Sequence, residues 1–188
     1  YFHKYKNIKN LNILEIGSLK GAATASFYNY LDKPKIICAD INPFQLEIFS
    51  KNIRPIYVDT QSKDALKNLS TFLNQEFDII IDDGSHNIKD QIITFNIFFP
   101  KLKKTGLYII EDSSQYLSAL HLNPDNLNYG SKEILLSVKN NHLEKIKYLS
   151  DNEIVLLNRM IRNIVSEKGN YIENKINISE IIFIEKNW

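Results

Sequence analysis

The run Phe77-Asp78-Ile79-Ile80-Ile81-Asp82-Asp83-Gly84-Ser85-His86 constrains this chain more than any other. A short apolar stretch closed by two carboxylates, a glycine and an imidazole reads as a buried parallel strand with a chemically loaded carboxyl end. Ligands of open α/β sheets bind at that end. A second run, Leu107-Tyr108-Ile109-Ile110, delivers Glu111 and Asp112 in the same way. Neighbouring strands lie about 4.8 Å apart, so acids leaving two adjacent strands can share one metal ion.

Apolar runs alternate with segments of helical period, the signature of βαβ units around a parallel sheet. Strands are expected at residues 12–16, 36–39, 55–58, 77–81 and 107–110. Helices are expected after the first strand to about residue 31, from Pro43, from Ser62 and over residues 88–98. Residues 113–130, rich in Asn, Ser, Pro and Tyr, read as a surface segment or lid, with a helix following to about residue 139. Residues 145–149 and 154–157, separated by the polar Ser150-Asp151-Asn152-Glu153, read as a β-hairpin. A helix from about Arg159 and a β-rich run over residues 178–184 follow.

Composition narrows the partners. A formal net charge of +1 with no Lys/Arg block argues against nucleic acid. Cys38, the single cysteine, excludes an intrachain disulfide and reads as a small buried hydrophobe. No apolar stretch approaches the roughly 18 residues of a membrane span. The opening Tyr1-Phe2-His3-Lys4-Tyr5 lacks a signal-peptide pattern and an initiator Met, as in a fragment, and the expected location is cytoplasmic.

The first strand closes as Leu14-Glu15-Ile16-Gly17-Ser18-Leu19-Lys20-Gly21. Glycines there let a ligand approach the backbone, and the next helix offers unpaired N–H groups. The spacing is G-x-x-x-G, not the G-x-G-x-x-G of dinucleotide binders. Asp40 ends the second strand, where an acid accepts hydrogen bonds from ribose hydroxyls.

With these residues the chain resembles the class I S-adenosylmethionine-dependent methyltransferases, over about residues 11–158. Glu15, Gly17 and Gly21 match their E-x-G-x-x-x-G motif; Asp40 falls at the ribose acid, and Asp59 and Gln61 fall where the family contacts adenine. Ser18 and Asp82 join this expected cofactor set. The resemblance implies a Rossmann-like, doubly wound, mostly parallel seven-stranded sheet with a terminal antiparallel hairpin. It also divides the chain into a methyltransferase domain, residues 1–158, and an extension of unassigned role, residues 159–188.

Asp82-Asp83-Gly84-Ser85-His86, with Gly106-Leu107-Tyr108-Ile109-Ile110-Glu111-Asp112, is similar to a narrower group. These are the metal-dependent sugar O-methyltransferases of macrolide tailoring and their relatives acting on bacterial surface sugars. The resemblance implies Asp83, Glu111 and Asp112 as ligands of Mg²⁺ or another divalent cation, and His86 as catalytic base beside Asp83. Asp82 remains the alternative ligand, since strand neighbours point to opposite faces. A sugar hydroxyl is a poor nucleophile; a hard cation stabilises its anion, and imidazole takes the proton. The expected function is methylation of a sugar hydroxyl, on a nucleotide-linked or glycan sugar, for a capsule or a glycosylated natural product. Expected partners are that sugar substrate and a second copy of the chain, with no nucleic acid or membrane. A nicotinamide-dependent oxidoreductase and a catalytically inactive methyltransferase-like binding domain are the alternatives.

Overall fold

The computed structural model describes residues 1–173, 176–177 and 179–187. Its strands are β1 (Asn12–Ile16), β2 (Lys35–Asp40), β3 (Ile53–Tyr57), β4 (Phe77–Asp82), β5 (Leu102–Ile110), β6 (Ile161–Lys168), β7 (Ile172–Glu173), β8 (Ile176–Asn177) and β9 (Glu180–Lys186). Seven form one sheet in the order β3-β2-β1-β4-β5-β9-β6, and β7 pairs with β8 as a small separate ribbon. β1 to β5 pair in parallel; β9 runs antiparallel between β5 and β6. The expected doubly wound sheet is present.

Alternation along the buried strands sorts their side chains onto two layers. Leu14, Ile16, Ile37, Ala39, Phe77, Ile80, Tyr108 and Ile110 face one core. It is filled by α2 (Lys63–Phe72), α3 (Ile88–Phe98), α4 (Ser131–Asn140) and α5 (Asp151–Met160). Ile13, Ile36, Cys38, Ile79, Ile81, Leu107 and Ile109 face the other, covered by α1 (Ala22–Tyr30) and the turn at Phe2–Tyr5. Burial on both faces is why these strands read as unbroken apolar runs. Local signals fix the helix starts: the Ser62 side chain accepts from Ala65 N at 3.2 Å, and Asn87 Oδ1 accepts from Lys89 N at 2.9 Å.

The terminal hairpin lies later in the chain than expected. Residues 151–160 are α5, not the second arm of a hairpin, and Leu143–Lys145 forms a short 3₁₀ turn. The polar Ser150-Asp151-Asn152-Glu153 is a helix N-terminus of the S-x-x-E kind: Glu153 Oε2 accepts from Ser150 N at 2.7 Å and from Ser150 Oγ at 2.8 Å. Residues from Ile161 are strand, not the helix expected from about Arg159. The sheet is closed by β6 and β9, so residues 161–168 and 180–186 lie inside it. Ile178, the start of the last expected β run, lies outside the described residues. β5 also begins earlier than expected, at Leu102 rather than Leu107, as an irregular strand start whose pairing register with β4 shifts between Phe77 and Ile79.

Candidate active site

The sheet order reverses between β1 and β4, and their carboxyl ends are stitched together. Asp83 N donates to Ile16 O at 2.8 Å, and Gly17 N donates to Ala39 O at 2.8 Å. Gly17 has φ +87, and a Cβ there would lie 2.0 Å from Asp83 O. Only glycine permits this approach. A cavity of about 370 Å³ opens above the crossing. Gly17, Leu19, Asp40 and Ile41 form one side, residues 58–61 the back, and residues 83–86 the other side.

Asp40 is organised by backbone: Oδ2 accepts from Leu19 N at 2.8 Å and Oδ1 from Asn42 N at 2.8 Å. Its carboxylate therefore faces the glycine turn. Asp59 Oδ1 accepts from Gln61 N at 2.9 Å, which shapes the back wall. Of the expected cofactor set, Gly17, Asp40, Asp59 and Gln61 line the cavity.

Four others do not line it. Ser18 is buried, and Gly21 starts α1 beneath the turn with φ +89. Asp82 is 2% exposed and shares the face of Tyr108, whose hydroxyl donates to it at 3.5 Å; burial pushes its carboxyl up to about 7. Glu15 shares the face of Ile13, so it points under α1 and accepts a short hydrogen bond from Thr24 Oγ1. Strand parity decides both cases.

Glu15 is 1% exposed, and burial raises its carboxyl from 4.5 to about 7. A folded-state value above the unfolded one means stability is full below about pH 4.5 and is lost as pH rises through 7. The loss amounts to about 3 kcal/mol once the group is ionised. Glu15→Gln has nothing to ionise and can still accept from Thr24. Its thermal midpoint should therefore gain on the wild type steadily between pH 5 and pH 8. A difference that is flat with pH would show that Glu15 does not ionise in the folded protein.

At the far side of the cavity three side chains converge. Ligand atoms of Asp83, His86 and Asp112 all lie within 4.8 Å of one another. His86 and Asp112 hold left-handed backbone, φ +57 and +50, which turns them toward that point. The expected trio was Asp83, Glu111 and Asp112; the one brought together has His86 in place of Glu111. Glu111 nonetheless stays close, being the strongest charged influence on Asp83. Burial first, then Glu111, Asp112 and Asp82, push the Asp83 carboxyl up to about 8.

The imidazole is held down from its ordinary range, chiefly by burial, against the opposing pull of Asp112. His86 Nδ1 is buried without a hydrogen-bond partner among the described residues, 3.9 Å from Asp83 Oδ1. Carboxyls crowded enough that Asp83 is pushed up to about 8, beside an imidazole whose Nδ1 has no partner among the described residues, suit a divalent cation, which would supply the missing positive charge.

The amides that set this geometry were not anticipated. Asn87 Nδ2 donates to His121 O at 3.0 Å, and Ser85 Oγ to Asp90 Oδ2 at 2.8 Å, fixing the His86 turn. Gln91 Nε2 donates to Glu111 O at 3.3 Å while Gln91 Oε1 accepts from Ser131 Oγ at 2.6 Å. Gln91 lies three residues after Ile88 and four before Phe95 on the buried stripe of α3. A polar residue at that phase was the available signal.

This strand order, with one antiparallel strand inserted beside β5 and a glycine turn facing an acid on β2, is the class I methyltransferase arrangement. The chain belongs to the methyltransferase domain family whose model matches residues 14–113. Among curated proteins it is 28% identical to demethylmacrocin O-methyltransferase of Streptomyces fradiae, over 60% of this chain and 29% of that protein. It is 29% identical to mycinamicin VI 2''-O-methyltransferase of Micromonospora griseorubida, with the same coverage, 60% and 29%. Among solved structures it resembles MycE methyltransferase of the mycinamycin biosynthetic pathway, in complex with Mg and SAH. The TM-score is 0.71 at 21% identity, over 99% of this chain and 46% of that one. The chain thus spans less than a third of these curated relatives. Family membership sets aside the nicotinamide-dependent alternative. No helix among the described residues is long and apolar enough to cross a membrane.

Proposed function

We propose that this chain carries the catalytic site of an S-adenosylmethionine-dependent, divalent-metal-assisted O-methyltransferase acting on a sugar hydroxyl. The observation that carries the reading is the convergence of Asp83, His86 and Asp112 beside a glycine-turn cavity. The named activities of the relatives support it: they are O-methyltransferases of demethylmacrocin, of mycinamicin VI and of a rhamnosyl tetracenomycin, and MycE holds Mg, SAH and mycinamycin VI.

Asp40 would bind the cofactor's ribose hydroxyls, its carboxylate already oriented by Leu19 N and Asn42 N. Asp59 and Gln61 would border the adenine, and Gly17 would let the cofactor chain pass close to the backbone. Glu15, Ser18, Gly21 and Asp82 would act beneath the cavity, by holding the turn and the start of α1. Asp83, Asp112 and the nearby Glu111 would hold the cation, expected to be Mg²⁺ given hard oxygen donors.

When bound, the cation lowers the cost of negative charge on the sugar oxygen, and S-adenosylmethionine supplies the methyl group. His86 accepts the hydroxyl proton, because burial keeps the ring neutral at physiological pH. The residues around the cavity align the acceptor oxygen and exclude water, which is most of what an in-line methyl transfer asks of a protein.

The cavity rim exposes apolar Leu19 and Ile41. The acceptor in this reading is a nucleotide-linked or glycan-bound sugar, as in surface-polysaccharide or natural-product tailoring. A cytoplasmic setting accords with the free, buried Cys38.

Methyl-labelled S-adenosylmethionine incubated with neutral glycosides and with nucleotide sugars tests the reaction. Label in one acceptor class alone would assign the sugar's carrier, and cofactor binding without label in any acceptor would leave a binding domain. Calorimetry tests the cofactor: S-adenosylhomocysteine should bind and NAD should not. Asp40→Ala should weaken that binding by about 1.5 to 3 kcal/mol, the range for hydrogen bonds to a charged group. NAD binding in place of the homocysteine derivative would overturn the cofactor assignment.

A further inference from the structure

Asp112 adopts left-handed backbone, φ +50, a conformation uncommon outside glycine although Asp enters it more readily than most residues. Something must hold it there, and four contacts on the surrounding turn do so. Glu111 N donates to Asp82 O at 2.9 Å, and Ser113 N donates to Glu180 O at 2.9 Å. Gln91 Nε2 reaches Glu111 O at 3.3 Å. The fourth is the only one of them to touch the acid itself: Gln115 Nε2 donates to Asp112 Oδ2 at 2.7 Å.

Gln115 is placed to do this. It opens the 3₁₀ turn Gln115–Leu117, and its own N–H donates to Asp112 O at 3.1 Å. The residue is thus bound to Asp112 twice, through main chain and through side chain. Ser113 Oγ also donates to Glu180 O at 3.0 Å, so the base of the turn is tied to β9 and cannot swing to compensate. The amide engages Oδ2, while Oδ1 has no hydrogen-bond partner among the described residues. An amide donor on one oxygen of a carboxylate fixes its rotation about χ2 and leaves the other oxygen for a second partner.

We propose that Gln115 is a positioning residue for the cation site: it fixes the Asp112 carboxylate so that its remaining oxygen meets Asp83 and His86. This rests on the metal-assisted reading of the site. Gln115 contacts neither the cavity nor the reacting groups and acts only through Asp112. A glutamine fits this place better than lysine, since a neutral donor orders the carboxylate without competing with the cation for its charge.

The test measures Mg²⁺ affinity by calorimetry, in the presence of S-adenosylhomocysteine, for wild type, Gln115→Met, Asp112→Ala and the double variant. Methionine keeps the length of glutamine and loses the donor. Gln115→Met should weaken Mg²⁺ binding about 10- to 100-fold, the usual cost of losing an outer partner of a ligand. It should change S-adenosylhomocysteine affinity less than twofold. On the Asp112→Ala background the same change should have almost no further effect, because the acid through which it acts is gone. Unchanged Mg²⁺ affinity in Gln115→Met would overturn the proposal, as would an equal loss on both backgrounds, which marks a general structural role. If the wild type itself binds no Mg²⁺, the metal reading falls first and this inference with it.

Discussion

Replacing His86 with alanine should lower kcat by about 10²- to 10⁴-fold, the usual worth of a general base. The dissociation constant for S-adenosylhomocysteine should hardly move, because Asp40, Asp59 and Gln61, proposed to face the cofactor, stand on other strand ends. The ring sits where a base must: in a turn fixed by Asn87 and Ser85, with an unpartnered Nδ1 beside Asp83. Burial holds its pKa below the ordinary histidine value, and a bound cation pushes the same way. Activity should therefore persist below pH 6.5 and fall only at more acid pH, where the protonated ring no longer accepts. The pH profile of kcat in wild type and variant checks this. A variant with near wild-type kcat and the same acid limb would move the base to another group, with Asp82 or a second carboxylate next in line.

Stripping the protein of divalent cations should abolish turnover, and added Mg²⁺ should restore it. After burial, Glu111 and Asp112 push the Asp83 carboxyl up and Asp112 pushes up that of Glu111, and the imidazole beside them, held down by burial, adds no charge to relieve them. Asp83→Asn removes the group at the centre of that repulsion. It should weaken Mg²⁺ binding by more than the 10- to 100-fold typical of outer partners, and leave S-adenosylhomocysteine binding close to wild type. Calorimetry on both ligands separates the two effects. Full activity of chelator-treated protein would remove the cation from the reaction and leave the acids with a purely electrostatic role.

The parts of the fold that were legible were those where burial left a single choice of residue. β4 and β5 are covered on both faces, so their unbroken Ile and Leu could hardly be read otherwise, and the order of units followed. Gly17 announced itself because no other residue survives that approach to Asp83. The hairpin was misplaced because Ser150-Asp151-Asn152-Glu153 has the composition of a turn, while its i, i+3 hydrogen bonding makes it a helix start. The helix pattern of Ile154 and Leu157 was short enough to pass for strand.

At the site, the positions of Asp83, His86 and Asp112 were legible as strand ends. Their mutual geometry was not, because it depends on left-handed backbone at His86 and Asp112, which composition does not encode. The inward turn of Glu15 and Asp82 was available from parity with Ile13 and Ile80. Motif matching ranked them by position along the chain and ignored which face they occupied. The amides of Gln91 and Gln115 left the faintest trace, one as a polar break in an apolar stripe, the other as a residue within an irregular loop.

The placement of β9 carries a consequence for how the protein is made. β5 bears the acid turn, yet among the described residues its outer edge is covered by β9 alone, and Ser113 is anchored to Glu180, 67 positions further along. A nascent chain emerging in order therefore shows an uncovered edge, Leu107–Ile110, through the synthesis of α4, α5 and β6. Such an edge is a template for pairing with another chain. Ordering of the acid turn and protection from aggregation then arrive in the same late event, the docking of Glu180–Lys186 into the gap between β5 and β6. A ribosome stalled before that strand would hold a chain with Asp83, His86 and Asp112 already synthesised but with the turn that carries Asp112 still adrift.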